Sequence, residues 1–591
     1  MQATPTATSL WVLMLLFSPS FVVSAELKQP NIVIFLADDQ GWGDLSCNGN
    51  KMLQTPHIDS LSKNGVRLDR FYVCPVCSPT RAEFLTGRYH PRTGVRGVST
   101  GQERLNLDEK TLADACKNSG YATGAFGKWH NGSQWPYHPN ARGFNEYYGF
   151  TSGHWGEYFN APMDHNGLPV KGKGFTVDDF TNHAIDFIEL NKQKPFLIYL
   201  PYNTPHSPFI VPKPYWNKFK DKPIPQRGPE GDKEDIEVTR AVLAMCENID
   251  ANVGKVLAKI NSLGLDDNTI VIYFSDNGPN SFRYNGGMKG KKGSTDEGGV
   301  RSPCFISWPG KFKPAKVVTQ ICGAIDLLPT LLSLANIKSV STKPFDGKDL
   351  SPLLLQDDYS WPDRMLFSFW AGKVSVRNQQ YRLDDKGQLF DMKNDPWQTK
   401  NIAGNNLEIT KNLNQAVQDW RKEVLPKKPD DRLIPVGFSQ MPLTPLPARD
   451  GTFEGNIRRS AAAPNCSYFV NWTSKTDRIN WNIDVYSEGN YEVELLYTTA
   501  LSDAGSSIEI SFNGNTLTTK VLPGWDPPLI TDQDVIPRPK GESIMKDFKA
   551  LRVGEIKLPK EKGVLSIRAI NITGKEVMQL RSVNLHLISK K

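Results

Sequence analysis

Seven uncharged residues, Asn31-Ile32-Val33-Ile34-Phe35-Leu36-Ala37, run straight into Asp38-Asp39. A short β-branched and aromatic run without polar alternation reads as a strand buried on both faces, the kind found in a parallel sheet covered by helices. The pattern recurs. Thr269-Ile270-Val271-Ile272-Tyr273-Phe274 leads to Ser275-Asp276-Asn277-Gly278, Phe196-Leu197-Ile198-Tyr199-Leu200 leads to Thr204-Pro205-His206, and Tyr121-Ala122-Thr123-Gly124-Ala125-Phe126 leads to Lys128 and His130. Between Asn31 and Leu334 such runs alternate with helical stretches, so the expected fold is α/β with a largely parallel central sheet. Open sheets of this kind bind ligands beyond the carboxyl ends of their strands. Four separate segments deliver charged or ligating side chains there, a convergence that a purely structural role does not call for.

Asp38, Asp39, Asp276 and Asn277 offer oxygen donors only, which suits a hard divalent cation, and their number favours calcium over magnesium. Taken singly, Asp38-Asp39 also reads as a solvated turn and Asp276-Asn277-Gly278 as a β-turn. A different chemistry is offered by Cys77-Ser78-Pro79-Thr80-Arg81, which runs into Ala82-Glu83-Phe84-Leu85-Thr86-Gly87. A thiol next to an arginine near a helix start reads as a low-pKa nucleophile. The alternatives are a buried structural thiol, half of a disulfide, or a redox pair with Cys74.

The pentapeptide resembles the C-x-P-x-R activation motif of the sulfatases, and Gly120-Tyr121-Ala122-Thr123-Gly124-Ala125-Phe126-Gly127-Lys128-Trp129-His130 matches that family's second signature, G-Y-x-T-x-x-x-G-K-W-H, at every fixed position. The resemblance continues through Asp38-Asp39, Pro205-His206, Asp276-Asn277 and Lys292-Gly293-Ser294-Thr295-Asp296-Glu297-Gly298-Gly299, and ends near Asn394-Asp395-Pro396. It implies that Cys77 is oxidised to formylglycine (3-oxoalanine) by a formylglycine-generating enzyme, and that the aldehyde hydrate attacks sulfur. It also implies one calcium ion held by Asp38, Asp39, Asp276 and Asn277, with the residue at Cys77 beside it. By the same resemblance Arg81 orients the hydrate, Lys128 and Lys292 contact sulfate oxygens, His130 helps expel sulfate, and His206 protonates the leaving alcohol. The expected activity is sulfuric ester hydrolysis on a sulfated sugar or aryl sulfate, with galactose or N-acetylgalactosamine sulfates as the first candidates. A phosphoester or phosphonate hydrolase, or a catalytically silent secreted glycan-binding protein, are the rival readings.

At 591 residues the chain exceeds one ordinary core. We expect a signal peptide at 1–25, a catalytic domain at 26–345, a small antiparallel subdomain at 346–425, a Pro-rich linker at 426–455 and an all-β sandwich like a carbohydrate-binding module at 456–591. The signal reading rests on the apolar run from Leu10 to Phe17 and the small-residue pattern Val23-Ser24-Ala25, and implies a secreted, lysosomal or periplasmic protein without a membrane span after cleavage. On the linker reading, a chain ending near Leu433 still cleaves small sulfates. Export also allows the cysteines other than Cys77 to pair, and makes the sequons at Asn131, Asn465, Asn471 and Asn571 possible glycan acceptors. A net charge of +7 with Lys and Arg scattered along the chain argues against nucleic acid.

Overall fold

The computed structural model describes residues 1–4 and 29–588; the apolar run and cleavage pattern read as a signal lie outside the described residues. The central sheet is built from β1 (Asn31–Ala37), β2 (Val66–Tyr72), β3 (Ala122–Lys128), β4 (Glu146–Phe150), β5 (Pro162–His165), β6 (Leu168–Lys171), β7 (Phe196–Pro201), β8 (Thr269–Ser275), β9 (Arg301–Ser302), β10 (Cys304–Ser307) and β11 (Lys316–Gly323). Its order is β11-β2-β10-β8-β1-β7-β3-β4-β5-β6, with β9 on β2. The middle, from β8 to β4, is parallel, and antiparallel pairs flank it. Along β1 the side chains alternate between two cores. Val33, Phe35 and Ala37 pack with the helices Thr176–Asn191 and Ile236–Ser262, while Ile32, Ile34 and Leu36 pack with Leu112–Asn118 and Leu327–Leu334. Burial on both faces is why this strand carries no polar alternation.

The four strands whose ends carry the expected site, β8, β1, β7 and β3, are consecutive neighbours. Adjacent strands lie about 4.8 Å apart, so their ends converge on one patch. Gly127 permits part of this closeness: a Cβ there would lie 2.1 Å from the carbonyl oxygen of Pro201, next to the end of β7.

A four-stranded antiparallel sheet follows, Leu366–Trp370, Lys373–Arg377, Tyr381–Leu383 and Leu389–Asp391, backed by the helix Leu407–Val424 through Leu413, Val417 and Trp420. The carboxy-terminal part is a sandwich of two sheets. One runs Ile434–Val436, Arg478–Val485, Lys562–Asn571, Ser507–Phe512, Asn515–Lys520, with Thr452–Glu454 on Arg478–Val485. The other runs Arg458–Arg459, Phe469–Val470, Gln579–Leu587, Gly489–Thr498, Lys549–Leu558, with Leu443–Pro447 on Gln579–Leu587. Trp472, Trp481, Tyr491 and Tyr497 fill the space between them. The hairpin turn Asn513-Gly514 has both residues at positive φ (45° and 86°), which is what its Asn-Gly sequence favours.

The stretch read as a Pro-rich linker is instead part of the sandwich. Ile434–Val436, Leu443–Pro447 and Thr452–Glu454 are strands at the sheet margins, and Ile434, Val436 and Leu446 are buried in its core. Prolines are compatible with this because edge strands leave backbone positions outside the ladder. All eight cysteines are free thiols, so none of the pairings that export would allow is formed in this structure.

Candidate active site

β1 ends at Ala37, and the backbone turns sharply, with Asp39 at φ 68°. His130, just past β3, has φ 64°. Left-handed conformations cost non-glycine residues on the order of 1–3 kcal/mol each and persist where surroundings over-determine them. Here the surroundings are a buried polar network. Lys128 Nζ donates to Asp38 Oδ2 at 2.6 Å, Lys292 Nζ pairs with Asp39 Oδ1 at 2.6 Å, and Arg81 donates to Asp276 Oδ2 through Nη2 (2.8 Å) and Nε (3.2 Å). The backbone N–H of Asp39 donates to Asp276 Oδ1 at 3.2 Å, and Asn277 Nδ2 donates to Asp39 Oδ1 at 2.7 Å. Asp38, Asp39, Asp276, Asn277, Arg81 and Lys128 are each 0 % exposed. Three buried carboxylates therefore face three cations, of which Lys292 alone is partly exposed.

Cys77 opens the buried helix Cys77–Thr86. Its sulfur and carboxylate oxygens of Asp38 and Asp276 lie within 4.8 Å of one another. Burial pushes the thiol's pKa up; Lys128 and Lys292 pull it down, but not enough to offset burial and the two carboxylates. Burial thus moves the unmodified thiol away from the low-pKa nucleophile expected from the helix start and the arginine, and Arg81 is engaged with Asp276 and with the carbonyl of Lys128 (2.6 Å). Thr80 adds a tie that its sequence gave no sign of, donating from Oγ1 to the carbonyl of Asp276 at 2.6 Å.

The oxygen donors suit a hard cation. Asp38 Oδ1, Asp39 Oδ2 and Asn277 Oδ1 are buried acceptors without a hydrogen-bond donor, a costly arrangement unless something positive sits among them. Burial and the nearby Asp38 carboxylate push Asp276 up to about 6, with Arg81 acting against them. Burial alone would raise Asp39 too, yet Lys292 and His206 hold it well below the usual carboxylate range. A divalent ion at the free oxygens would favour the charged form of each.

His206 places Nε2 3.7 Å from Asp39 Oδ2 and has Nδ1 2.5 Å from the carbonyl of Ser207. Burial and the charge of Lys292 lower its pKa to about 4. His154 stacks on it with ring centroids 5.5 Å apart. His130 has Nε2 on the carbonyl of Val98 (2.8 Å), while Nδ1 is buried without a partner. Burial, then Lys128, push its pKa well down. All ten expected side chains are thus in or bordering one site.

Other residues support it from afar. Arg283 is buried against Asp44 (2.7 Å) and also donates to the carbonyl of Asp39 (3.1 Å); both partners lacked a local signal. Glu297, part of the glycine-rich pattern after Lys292, accepts from Arg377 (2.5 Å) and Tyr72 (3.0 Å). The small sheet therefore clamps the segment that carries Lys292. His165-Asn166-Gly167 forms the turn between β5 and β6 at the sheet edge.

Two of the glycan sites do not fit the fold. Asn131 is 0 % exposed, with Nδ2 donating to Ser78 Oγ at 3.2 Å. Asn465 donates to Val98 O at 3.3 Å across a domain contact. Asn471 is half-buried and donates to Asn456 O at 2.7 Å, whereas Asn571 is exposed.

The sulfatase family profile matches residues 30–337, and a profile for the carboxy-terminal part of N-sulphoglucosamine sulphohydrolase matches 291–423. Among known proteins, the N-acetylgalactosamine-6-sulfatase of Mus musculus is 32% identical over 408 residues, covering 63% of this chain and 75% of that one. Arylsulfatase A of Homo sapiens is 30% identical over 486 residues, covering 71% and 91%. Among solved structures, Ps i-CgsB superposes with a TM-score of 0.60 at 29% identity over 67% of this chain and 94% of that one, and one of its structures is a complex with k-i-k-neocarrahexaose.

Proposed function

Since this chain belongs to the sulfatase family and is a sulfuric ester hydrolase, we propose that it removes sulfate from a sulfated sugar, using an aldehyde made from Cys77 and one calcium ion. The observation that carries this reading is the meeting of Cys77 with carboxylate oxygens of Asp38 and Asp276, in a buried network that also holds three donorless oxygens and two lysines. Asp38, Asp39, Asp276 and Asn277 would hold the calcium, which when bound would set positive charge against the sulfuryl oxygens. The hydrated aldehyde would offer an oxygen nucleophile that encoded side chains do not match.

This chain's own residues do the remaining work. Lys128 and Lys292 each commit an ammonium proton to a carboxylate and keep others for sulfate oxygens. Arg81 holds Asp276 in place. His206 faces the site with Nε2 and, from the doubly protonated form that burial and Lys292 make a minor one above about pH 4, passes a proton to the leaving oxygen, while His130 uses its free Nδ1 as sulfate is released. Cys77 is 4 % exposed, so the formylglycine-generating enzyme must reach the segment before the chain folds. The export signal read at the amino terminus supports a secreted, lysosomal or periplasmic setting; among the described residues no helix is long and apolar enough to cross a membrane.

A galactose or N-acetylgalactosamine sulfate is the substrate class we favour, supported by the N-acetylgalactosamine-6-sulfatase of Mus musculus among its relatives and by the oligosaccharide in the Ps i-CgsB complex. Turnover of such a sulfate compared with the matching phosphate ester tests the reading. Sulfate should be released and phosphate much more slowly; preferred phosphate release would overturn it.

A further inference from the structure

The sandwich does not hang from the catalytic domain. Its long loop 521–548 lies across it: Gln533 Oε1 accepts from the backbone N–H groups of Tyr158 (3.0 Å) and Phe159 (3.1 Å), and Arg581, on the neighbouring strand, pairs with Glu157 at 3.0 Å. A long connection without regular structure is usually functional. It also reaches the loop that carries His206, and a second sandwich residue reaches the carbonyl that His130 uses. Ser207, the residue after His206, donates from Oγ to Glu542 Oε1, and Glu542 Oε2 is buried without a donor. Asn465 donates to the same Val98 carbonyl that His130 uses. It lies so close that a Cβ on Gly153 would fall 2.3 Å from Asn465 Nδ2 and 2.5 Å from His130 Nε2.

We propose that Glu542, carried by the carboxy-terminal sandwich, is a positioning residue for the proton donor: it anchors the His206 loop through Ser207 and thereby sets where His206 Nε2 meets the leaving oxygen. The inference rests on the reading of His206 as that donor. The geometry supports it because Ser207 is buried and its hydroxyl is bound to Glu542, while the preceding imidazole is held from one face by the stacked His154 and at its nitrogens by its own neighbour's carbonyl and a long contact to Asp39; Tyr158 Oη, 3.1 and 3.3 Å from the carbonyls of His206 and Ser207, fixes the backbone there but leaves the Ser207 side chain to Glu542. An acid matters for an alcohol that leaves poorly and little for a phenolate that leaves well, so misplacing it has a chemical signature distinct from loss of fold.

The experiment compares kcat/KM on an N-acetylgalactosamine sulfate and on 4-nitrophenyl sulfate for the full-length, calcium-loaded enzyme. Glu542→Ala and Ser207→Ala should each lose about 10–100-fold more on the sugar than on the nitrophenyl ester, within the range a positioned acid is worth. The double variant should lose little beyond either single one, since both remove the same contact, and Glu542→Gln, which keeps an acceptor for Ser207, should recover most of the difference. An equal loss on both substrates in the Glu542 and Ser207 variants, or no loss, overturns the proposal. Should Glu542→Ala fail to fold, Ser207→Ala and Glu542→Gln carry the same test. His206→Ala separates the two levels: if it too shows equal losses, the donor reading itself fails and takes the inference with it, whereas a leaving-group-dependent loss there, without one at Glu542, sinks the inference alone.

Discussion

Cys77 is the residue on which the chemistry turns, and its replacement separates chemistry from folding. Cys77→Ala should lower sulfate release by more than about 1,000-fold while the melting temperature stays close to that of the parent, because only a sulfur atom is removed from the first turn of a buried helix. Measurable turnover near the parent's would contradict the role. Two turns further along the same helix, burial pushes Glu83 up to about 8, against the hydrogen bond it accepts from the N–H of His90 at 3.1 Å. A carboxyl raised in the fold binds its proton more tightly there than in the unfolded chain, so its contribution to stability is complete below the unfolded value near 4.5 and is lost as pH rises toward 8. The melting temperature should fall over that window, and Glu83→Gln should flatten part of the fall; an unchanged pH profile in the variant would refute the assignment. What sequence made legible at this scale were residues at strand ends and in motifs. Arg283, Asp44, Thr80 and His154 were not, since each acts through a partner that only the fold brings near.

At the level of elements, the site is a junction of strand ends. β8 and β1 deliver Asp276, Asn277, Asp38 and Asp39, and the free oxygens among them have no proton donor to offset their burial. Removing the cation should therefore destabilise as well as inactivate. Exhaustive chelation should lower both the melting temperature and turnover, with calcium restoring them, and Asp38→Asn should weaken the calcium response while leaving Lys128 a carbonyl to bind. Full activity and an unchanged melt after chelation would exclude the metal assignment. The parallel order around β1 was readable because burial on both faces erases polar alternation. The strands within 434–454 were not, because their prolines carry the same signal whether a segment is a linker or an edge strand whose N–H groups need no partner.

For the whole molecule, the sandwich contacts change what a shortened chain should do. Ending the chain near Leu433 would strip the partners of Ser207, Val98, Glu157 and Tyr158 and expose surfaces that are now covered. We expect such a chain to aggregate or to melt well below the parent, and any soluble fraction to lose sugar sulfatase activity. A soluble, fully active truncation would show that the sandwich only tethers. The sequence pattern identified the sandwich strands, but docking is written in scattered single residues, Asn465, Gln533, Glu542 and Arg581, that carry no periodicity.

The most direct test of the central claim is the mass of the peptide containing Cys77 from active enzyme made in a host with a formylglycine-generating system. An aldehyde, or its hydrate, should stand at that position, in a fraction that tracks the specific activity from one preparation to the next. An intact thiol at Cys77 in a fully active preparation would contradict it.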